Sequence, residues 1–439
     1  MLPMSRLLRL PNVVIGLLLV SGIQAQERTG DRLTLAEAVQ LARQRNGEVQ
    51  AAVFDVQAAR ARVNQARSAF FPTVTPAFRY DDQRRDIRTG PSRGAFVNST
   101  SQADIVANWR VLDSGERMLS LMGSRSSFQA QEFIATQTLR NTLFSVHQQY
   151  FDTLRSHELQ RVADLQVQRA EEILKQTIEL ERVGEGPRKD ILQARADALN
   201  ARVQQLQVRN RTVSNEAALK ATIGWEANTQ LPPLEPFPEP ARFDIPESLE
   251  QITTEGLARR ADLQAQRFRA ESQGFTVRRA EREAGLTWSV ETSYQAAFSR
   301  DVFQNRGVSF LVSFPLFDAG RVREAVRESR FTLEATRSAL VQSERNARSE
   351  IEAAYLTLSQ DAQRVNAARL AVDAARENYE AAVAAFRAGA LGTNVVTVLT
   401  AQVSLVTAES NYIEAVYDYY ISEARLRLAT GQPVLGESP

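Results

Sequence analysis

The residue types that most often carry out catalysis or bind metals are scarce in this sequence. There is no cysteine, which excludes disulfides, thiolate metal sites and a cysteine nucleophile. His147 and His157 are the only histidines; ten positions apart on one predicted helix, they point in different directions and cannot share a metal ion. No glycine-rich phosphate loop follows a predicted strand, and the carboxylates are scattered as on any solvated helix. We therefore predict no enzyme activity, no metal and no cofactor.

The charge balance argues against a nucleic-acid partner. The chain has 53 basic and 52 acidic residues over its 439 positions. A protein without a net positive field has little with which to replace the counterions of a phosphate backbone. We expect no nucleic acid to bind.

The N-terminal segment has the layout of an export signal. Arg6 and Arg9 precede an apolar run from Val13 to Leu19, and Ala25 closes a small-residue cleavage site. The alternative is a membrane anchor, but the apolar run is shorter than the roughly 20 residues that a spanning helix needs. The sequence predicts a signal peptide over residues 1–25 and a mature protein outside the cytoplasm.

The rest of the chain is an internal duplication. Asp113 and Gly115 in "WRVLDSGER" return 205 positions later as Asp318 and Gly320 in "FPLFDAGRV". Other matches at this offset are Val146 with Ile351, Tyr150 with Tyr355, and Gly184 with Gly389. A fixed offset over so long a stretch indicates two structural repeats. They span residues 26–230 and 248–431, with a proline-rich connector at 231–247 and a tail at 432–439.

Each repeat is predicted to contain the same elements in the same order. A helical stretch comes first, and Thr34 with Glu37 has the spacing of a capping box at its start. Two strands follow, then a proline-free helix of about 100 Å, a tight turn and a returning helix. The predicted helical ranges are Leu33–Ser68, Gly115–Arg182 and Lys189–Thr222 in the first repeat, and Pro246–Ala284, Gly320–Arg387 and Asn394–Thr430 in the second.

The four predicted strands alternate between a mainly apolar and a mainly polar face. Their apolar faces carry Tyr80, Trp109, Trp288 and Tyr294, of the kind that forms aromatic girdles at membrane interfaces. The segments 81–100 and 299–307 are polar and are predicted to be surface loops. Half of a soluble β-sandwich shows the same alternation and is the alternative. Four strands cannot close a barrel in lipid, so two copies giving eight strands, or three giving twelve, would have to share one.

Together, the duplicated architecture, the strand end "FPLFDAGR", the glycine turns after the long helices and "LGTNVVTVLTAQ" resemble the TolC-like family of outer-membrane efflux channels. The resemblance covers essentially the whole mature sequence. It implies a mainly α fold: long antiparallel helices form a periplasmic α-barrel, and four strands per chain join a shared twelve-stranded trimeric β-barrel. It also implies a homotrimer in outer-membrane lipid, coupled through a periplasmic adaptor protein to an inner-membrane pump.

The resemblance also implies functional positions. The two turns between long helices would form the adaptor-contacting tip: Gly184, Glu185, Gly186, Gly389, Ala390, Leu391 and Gly392. Glycine also ends helices for purely structural reasons, because it adopts positive φ at little cost. Many relatives carry aspartates just after these turns, at the pore aperture. This chain has Asp190 in the first repeat but Thr397 and Thr400 in the second, which departs from a double acidic ring.

Two functions from different classes follow from these observations. The first is a passive exit duct of a tripartite efflux or type I secretion system, in the outer membrane with a large periplasmic extension. The alternative is a periplasmic coiled-coil structural or adaptor protein whose strands form a soluble domain. An exported hydrolase is a distant third, because no nucleophile and base occur together.

Overall fold

The computed structural model describes residues 32–87, 94–184, 186–238, 243, 245, 248–298, 302–388 and 394–433. Within these ranges the chain forms helices and one antiparallel sheet. The helices of the first repeat are α1 (Leu35–Arg45), α2 (Gly47–Ser68), α3 (Glu116–Arg182) and α4 (Arg188–Ile223). Those of the second are α5 (Leu249–Arg259), α6 (Ala261–Arg282), α7 (Arg321–Arg387) and α8 (Val395–Ala429). The strands are β1 (Thr73–Ile87), β2 (Gly94–Asp113), β3 (Thr287–Phe298) and β4 (Val302–Ser313).

The two repeats are nearly equal element by element, which confirms the duplication. Helices α1 and α5 have 11 residues each, α2 and α6 have 22, and α3 and α7 have 67. Helix α4 has 36 residues and α8 has 35. The hairpins also share one register, since β1 begins with Thr73 opposite Asn108 and β3 with Thr287 opposite Ser313.

The prediction of a single helix at the start of each repeat is wrong. The first stretch breaks at Asn46, whose side chain accepts a hydrogen bond from the Glu48 amide at 2.9 Å and donates one to the Thr222 carbonyl at 2.9 Å. The second breaks at Arg260, which donates to the Ala429 carbonyl at 3.1 Å. Both breaks therefore dock onto the C-terminal turn of the returning helix, which a local helical pattern does not reveal. The capping box of Thr34 and Glu37 is confirmed.

The strands run farther than predicted. The sheet order is β1-β2-β3-β4, all antiparallel. The prediction of a loop over the segment 81–100 is wrong in part, because β1 continues to Ile87 and β2 starts at Gly94; likewise β4 starts at Val302 inside the predicted loop 299–307. Polar composition misled the prediction here, because residues at the end of an antiparallel ribbon can pair through their backbones whatever their side chains.

The long helices lie side by side as a single-layer wall. Near the sheet the neighbours follow the order α2, α3, α6, α7, and toward the helix–helix turns the order is α4, α3, α8, α7. The core runs along this wall and includes Val146, Tyr150 and Ile351 at the predicted positions. The Tyr150 hydroxyl donates to the carbonyls of Leu33 and Glu235 at 3.0 and 3.1 Å, which ties the connector to α3. Burial raises the pKa of this hydroxyl, so it stays a donor.

Candidate functional site

The two Asp-x-Gly turns join the sheet to the long helices in the same way. The carboxylate of Asp318 accepts hydrogen bonds from the amides of Gly320 and Val322, both at 2.9 Å, and these bonds lower its pKa. In the first repeat Asp113 accepts from the amides of Gly115 and Arg117 at 3.2 and 3.1 Å. Each aspartate thus satisfies amides that the first helical turn leaves unpaired. The repeated motif is a cap that fixes where each long helix leaves the sheet.

The strand register brings the apolar residues together on one face of the sheet. Ile105 lies opposite Tyr294, Trp109 opposite Val290, and Val290 opposite Phe310. Most of these large side chains are exposed, including Val74, Phe78, Tyr80, Ile105, Trp109, Trp288, Val308, Phe310 and Val312. A continuous exposed apolar face of this size marks an interaction with lipid or protein.

The four predicted interfacial aromatics all lie on this face. Tyr80 is opposite Ser101, and Trp109 lies eight residues farther along β2. At about 3.3 Å per residue and a strand tilt of about 40°, they are separated by about 20 Å along a membrane normal, close to the height of an apolar band. The Trp109 indole donates to the Phe70 carbonyl at 3.1 Å, where sheet and helices meet. Arg306 shares the face of Tyr294, with its guanidinium 5.6 Å from the ring centroid.

The opposite face of the sheet is polar. Thr73 lies opposite Asn108, Asn108 opposite Glu291, and Glu291 opposite Ser309. Asp104 and Gln295 form another cross-strand pair of this face. The middle of the sheet is therefore amphipathic, with Asp104, Asn108, Glu291 and Gln295 on one face and the large apolar side chains on the other.

Both edges of the sheet are without a strand partner in the described part of the chain. Strand β1 pairs only with β2, and β4 pairs only with β3. An open edge leaves a row of backbone N–H and C=O groups unpaired, which costs several kcal/mol per group in hydrocarbon.

The returning helix α4 also has an uncovered apolar stripe, which the sequence-based prediction missed. Leu192, Leu199, Leu206 and Val213 recur every seven residues and are 55% to 62% exposed. The corresponding residues of α8 are Leu399, Val406, Ile413 and Tyr420, which are buried or partly buried against the core. The stripe could have been found from the heptad spacing of its residues, by comparing them with the equivalent positions of the second repeat.

The stripe lies across the helix from the contact with α3. Leu199 precedes the buried Ala201 by two residues, so at about 100° per residue it points about 160° away from it. In a single-layer wall each inner helix contacts one neighbour on each of two opposite sides. Helix α4 therefore has room for one more helix beside it.

Of the predicted tip residues, the structure describes Gly184 and Gly186. Gly184 has a φ of 81° and its amide donates to the Glu181 carbonyl at 3.0 Å, as expected at a helix end. Glu185, Gly389, Ala390, Leu391 and Gly392 lie outside the described residues. The two turns follow helices of equal length, which brings Gly184 and the end of α7 at Arg387 to the same end of the wall.

The predicted aperture residues stand in the first turns of the returning helices. Asp190 is half-buried in the first turn of α4. Thr397 and Thr400 are exposed at the start of α8, where their hydroxyls donate to Asn394 Oδ1 at 3.2 Å and to the Val396 carbonyl at 2.9 Å. At the predicted aperture the second repeat therefore has neutral side chains.

The histidines have separate surroundings. His147 is fully buried, with Nδ1 2.8 Å from the Leu143 carbonyl, and His157 Nε2 lies 3.0 Å from Glu216. No group of three or more metal-ligating side chains occurs among the described residues. Among the described helices, none combines the length and the apolar character needed to cross a bilayer.

An amphipathic sheet carried on a wall of long helices defines a class of export-channel subunits. A family model described as "Outer membrane efflux protein" matches residues 38–225 and 253–432. Each matched range contains most of one repeat. The chain belongs to this family, and it is an outer-membrane protein with a periplasmic helical extension, which confirms the TolC-like resemblance.

Similar proteins match this chain over most of their lengths. The chain is 22% identical over 432 residues to the outer membrane efflux protein BepC of Brucella suis, covering 96% of this chain and 90% of that one. It is 24% identical over 420 residues to the outer membrane protein TolC of Escherichia coli, covering 90% and 82%. The crystal structure of the Campylobacter jejuni CmeC outer membrane channel superposes with a TM-score of 0.80 at 17% identity, covering 92% and 87%.

Proposed function

We propose that three copies of this chain join edge to edge into one channel that conducts cargo out of the cell through the outer membrane. The observation that carries the proposal is the pair of unpartnered edges of the wall. One edge consists of β1, α2 and α4, and the other of β4 and α7. Because the edges differ, copies join head to tail, and such contacts generate a ring when the rotation closes.

The number of copies follows from the size of the barrel. Two copies would give eight strands, and the interior of an eight-stranded barrel is filled by its own side chains or holds at most one small ligand. Three copies give twelve strands, which leave an open lumen lined by the polar face of the sheet. The apolar face then meets lipid, and every strand edge is paired.

The helices continue the lumen into the periplasm. At about 1.5 Å per residue, the 67 residues of α3 and of α7 each span about 100 Å. The turn-proximal end, with Gly184 and Gly186, contacts a periplasmic adaptor protein, and an inner-membrane pump supplies energy through it. The channel itself is passive.

The membership in an efflux family favours this function over a periplasmic structural protein. A soluble coiled-coil protein would also have to shield the exposed apolar face of the sheet from water. The cargo is a small molecule in an efflux system or a polypeptide in a type I secretion system.

The proposal is tested by ion conduction in a planar lipid bilayer. Purified protein should give discrete, ohmic current steps. Glu291 lies on the polar face, so Glu291→Lys places three new cations in the lumen and should shift the reversal potential in a salt gradient toward anion selectivity. Glu255→Lys is the control, because Glu255 lies in α5 and not in the sheet, and the potential should not move. Protein that inserts without conducting, or a Glu291→Lys variant that matches wild type, contradicts the proposal.

Cargo class is tested in cells. Deletion of the gene should abolish export of one class in a panel of antibiotics, metal salts and secreted polypeptides, and the wild-type gene should restore it. A deletion strain that exports every member normally contradicts a role in export.

A further inference from the structure

The junctions between the two repeats inside one chain supply a template for the junctions between chains. The three largest contacts between the first repeat and the second are β2 with β3, α3 with α6, and α3 with α8. If the repeats alternate around a ring, the equivalent contacts to the next copy are β4 with β1, α7 with α2, and α7 with α4. From this equivalence, and resting on the proposed trimer, we propose the residue register of the interface between copies.

The register between α4 and α7 follows from α8 and α3. Arg169 of α3 and Glu409 of α8 form an ion pair at 3.4 Å, and Leu165 and Ile413 line one cleft beside it. The equivalent residues of α7 lie 205 positions after those of α3, and the equivalent residues of α4 lie 207 positions before those of α8. The template therefore places Ala374 opposite Arg202, and Leu370 opposite Leu206. Leu370 is 70% exposed and Leu206 is 55% exposed. The template therefore pairs two uncovered leucines.

The register between α2 and α7 follows from α6 and α3. Phe268 of α6 stacks on Phe133 of α3, with ring centroids 5.6 Å apart. Helices α2 and α6 match at an offset of 214, which puts Phe54 in the place of Phe268 and Ser338 in the place of Phe133. Phe54 is 70% exposed within one copy. Opposite Ser338 of the next copy, its ring is covered.

The strand register follows in the same way. Ile105 of β2 lies opposite Tyr294 of β3, which the same offsets convert into Phe310 of β4 opposite Tyr80 of β1. Both are exposed residues of the apolar face. The identical registers of the two hairpins support these offsets.

The charges of the helical interface are reversed relative to the template. Within the chain the cation lies on α3, as Arg169, and the anion on α8, as Glu409. Between chains the cation lies on α4, as Arg202, and α7 supplies Asp373 and Glu377 on either side of Ala374. If an α4 helix took the place of α8 beside α3, Arg202 would lie opposite Arg169. The reversal thus directs each returning helix to its correct neighbour, although the repeats are alike.

Cysteine pairs test the register, because the chain has no cysteine of its own. Leu206→Cys with Leu370→Cys, and separately Phe54→Cys with Ser338→Cys, should give covalent dimers and trimers on a denaturing gel after mild oxidation. Disulfides form only when Cα atoms approach within about 7 Å. The matched control is Leu206→Cys with Leu356→Cys, since Leu356 is 57% exposed on the same helix but about 21 Å away from Leu370.

Charge exchange tests the reversed pairing. Arg202→Glu should raise the fraction of dissociated copies in a detergent challenge about tenfold, and adding Glu377→Arg should restore most of the trimer. Within the chain Arg202 also pairs with the exposed Glu171 at 3.2 Å. Glu171→Gln therefore serves as the control and should leave the trimer intact.

The outcomes separate this inference from the proposed function. Cross-linking of both predicted pairs without the control pair supports the register. Trimers that fail to cross-link at these pairs, or that cross-link at the control pair, contradict the proposed register but do not contradict the proposed channel. Monomeric wild-type protein overturns the trimer and the register together. Charge variants that do not compensate overturn the reversed pairing.

Discussion

An arginine placed on one face of the sheet or on the other should distinguish the face that meets lipid from the face that lines the lumen. Val308 of β4 is 62% exposed on the apolar face and lies opposite Thr292, in the middle rows of the sheet. The next residue, Ser309, points to the other face and lies opposite Glu291. Val308→Arg and Ser309→Arg therefore put the same side chain at the same depth in two environments.

The expected costs differ by several kcal/mol. An arginine on the lipid face near the bilayer midplane costs about 2–4 kcal/mol per chain, and in three copies about 6–12 kcal/mol for the assembled barrel. In the water-filled lumen the same arginine costs almost nothing, and its pairing with the exposed Glu291 adds at most about 1 kcal/mol of stability.

The assay is a urea titration of folding into lipid vesicles, followed by the resistance of the folded band to proteolysis. Val308→Arg should lower the free energy of unfolding by about 2–4 kcal/mol per chain, while Ser309→Arg stays within about 1 kcal/mol of wild type. Equal losses in both variants, or a larger loss for Ser309→Arg, would refute the assignment of the two faces.

Three further predictions concern the helical wall and its junctions. Gly224 has a φ of 67°, and a Cβ there would lie 2.8 Å from that of Arg45, so Gly224→Ala should cost about 2–5 kcal/mol in thermal unfolding. Gly320→Ala, with a φ of 84° and open space around it, should cost only about 1–2 kcal/mol, and equal costs would contradict the close approach. Tyr150→Phe removes the hydrogen bonds to Leu33 and to Glu235 of the connector and should cost about 1–3 kcal/mol, seen as faster proteolysis of residues 231–247; unchanged cleavage would count against this anchor. The lowered pKa of Asp318 means that its contribution to stability is present above the ordinary carboxyl value near 4 and is lost as pH falls below it. Asp318→Asn should therefore reduce the loss of thermal stability between about pH 5 and pH 3, and an unchanged slope would exclude this role.

Local patterns in the sequence were sufficient for the long elements. Helix α7 was predicted from Gly320 to Arg387 and runs from Arg321 to Arg387, because a proline-free heptad pattern has one stable solution at that length. The alternation of the strands identified their faces correctly. The duplication then fixed the order of elements in the second repeat from the first.

Features set by distant contacts could not be read from local patterns. The breaks at Asn46 and Arg260 depend on the ends of α4 and α8, which lie about 170 residues away in sequence. The exposed stripe of α4 has the same heptad pattern as a buried seam, so only its place in the wall shows that it lacks a cover. The site residues at the turns came from the resemblance and stay predictions.

The most direct test of the central claim is the mass of the particle that detergent extracts from the outer membrane. Light scattering corrected for bound detergent should give three copies of the mature chain. The same particle should retain its mass on dilution, because every strand edge and the Leu206 stripe are covered in the ring. A stable single copy, or a stable pair, would contradict a barrel completed by three identical chains.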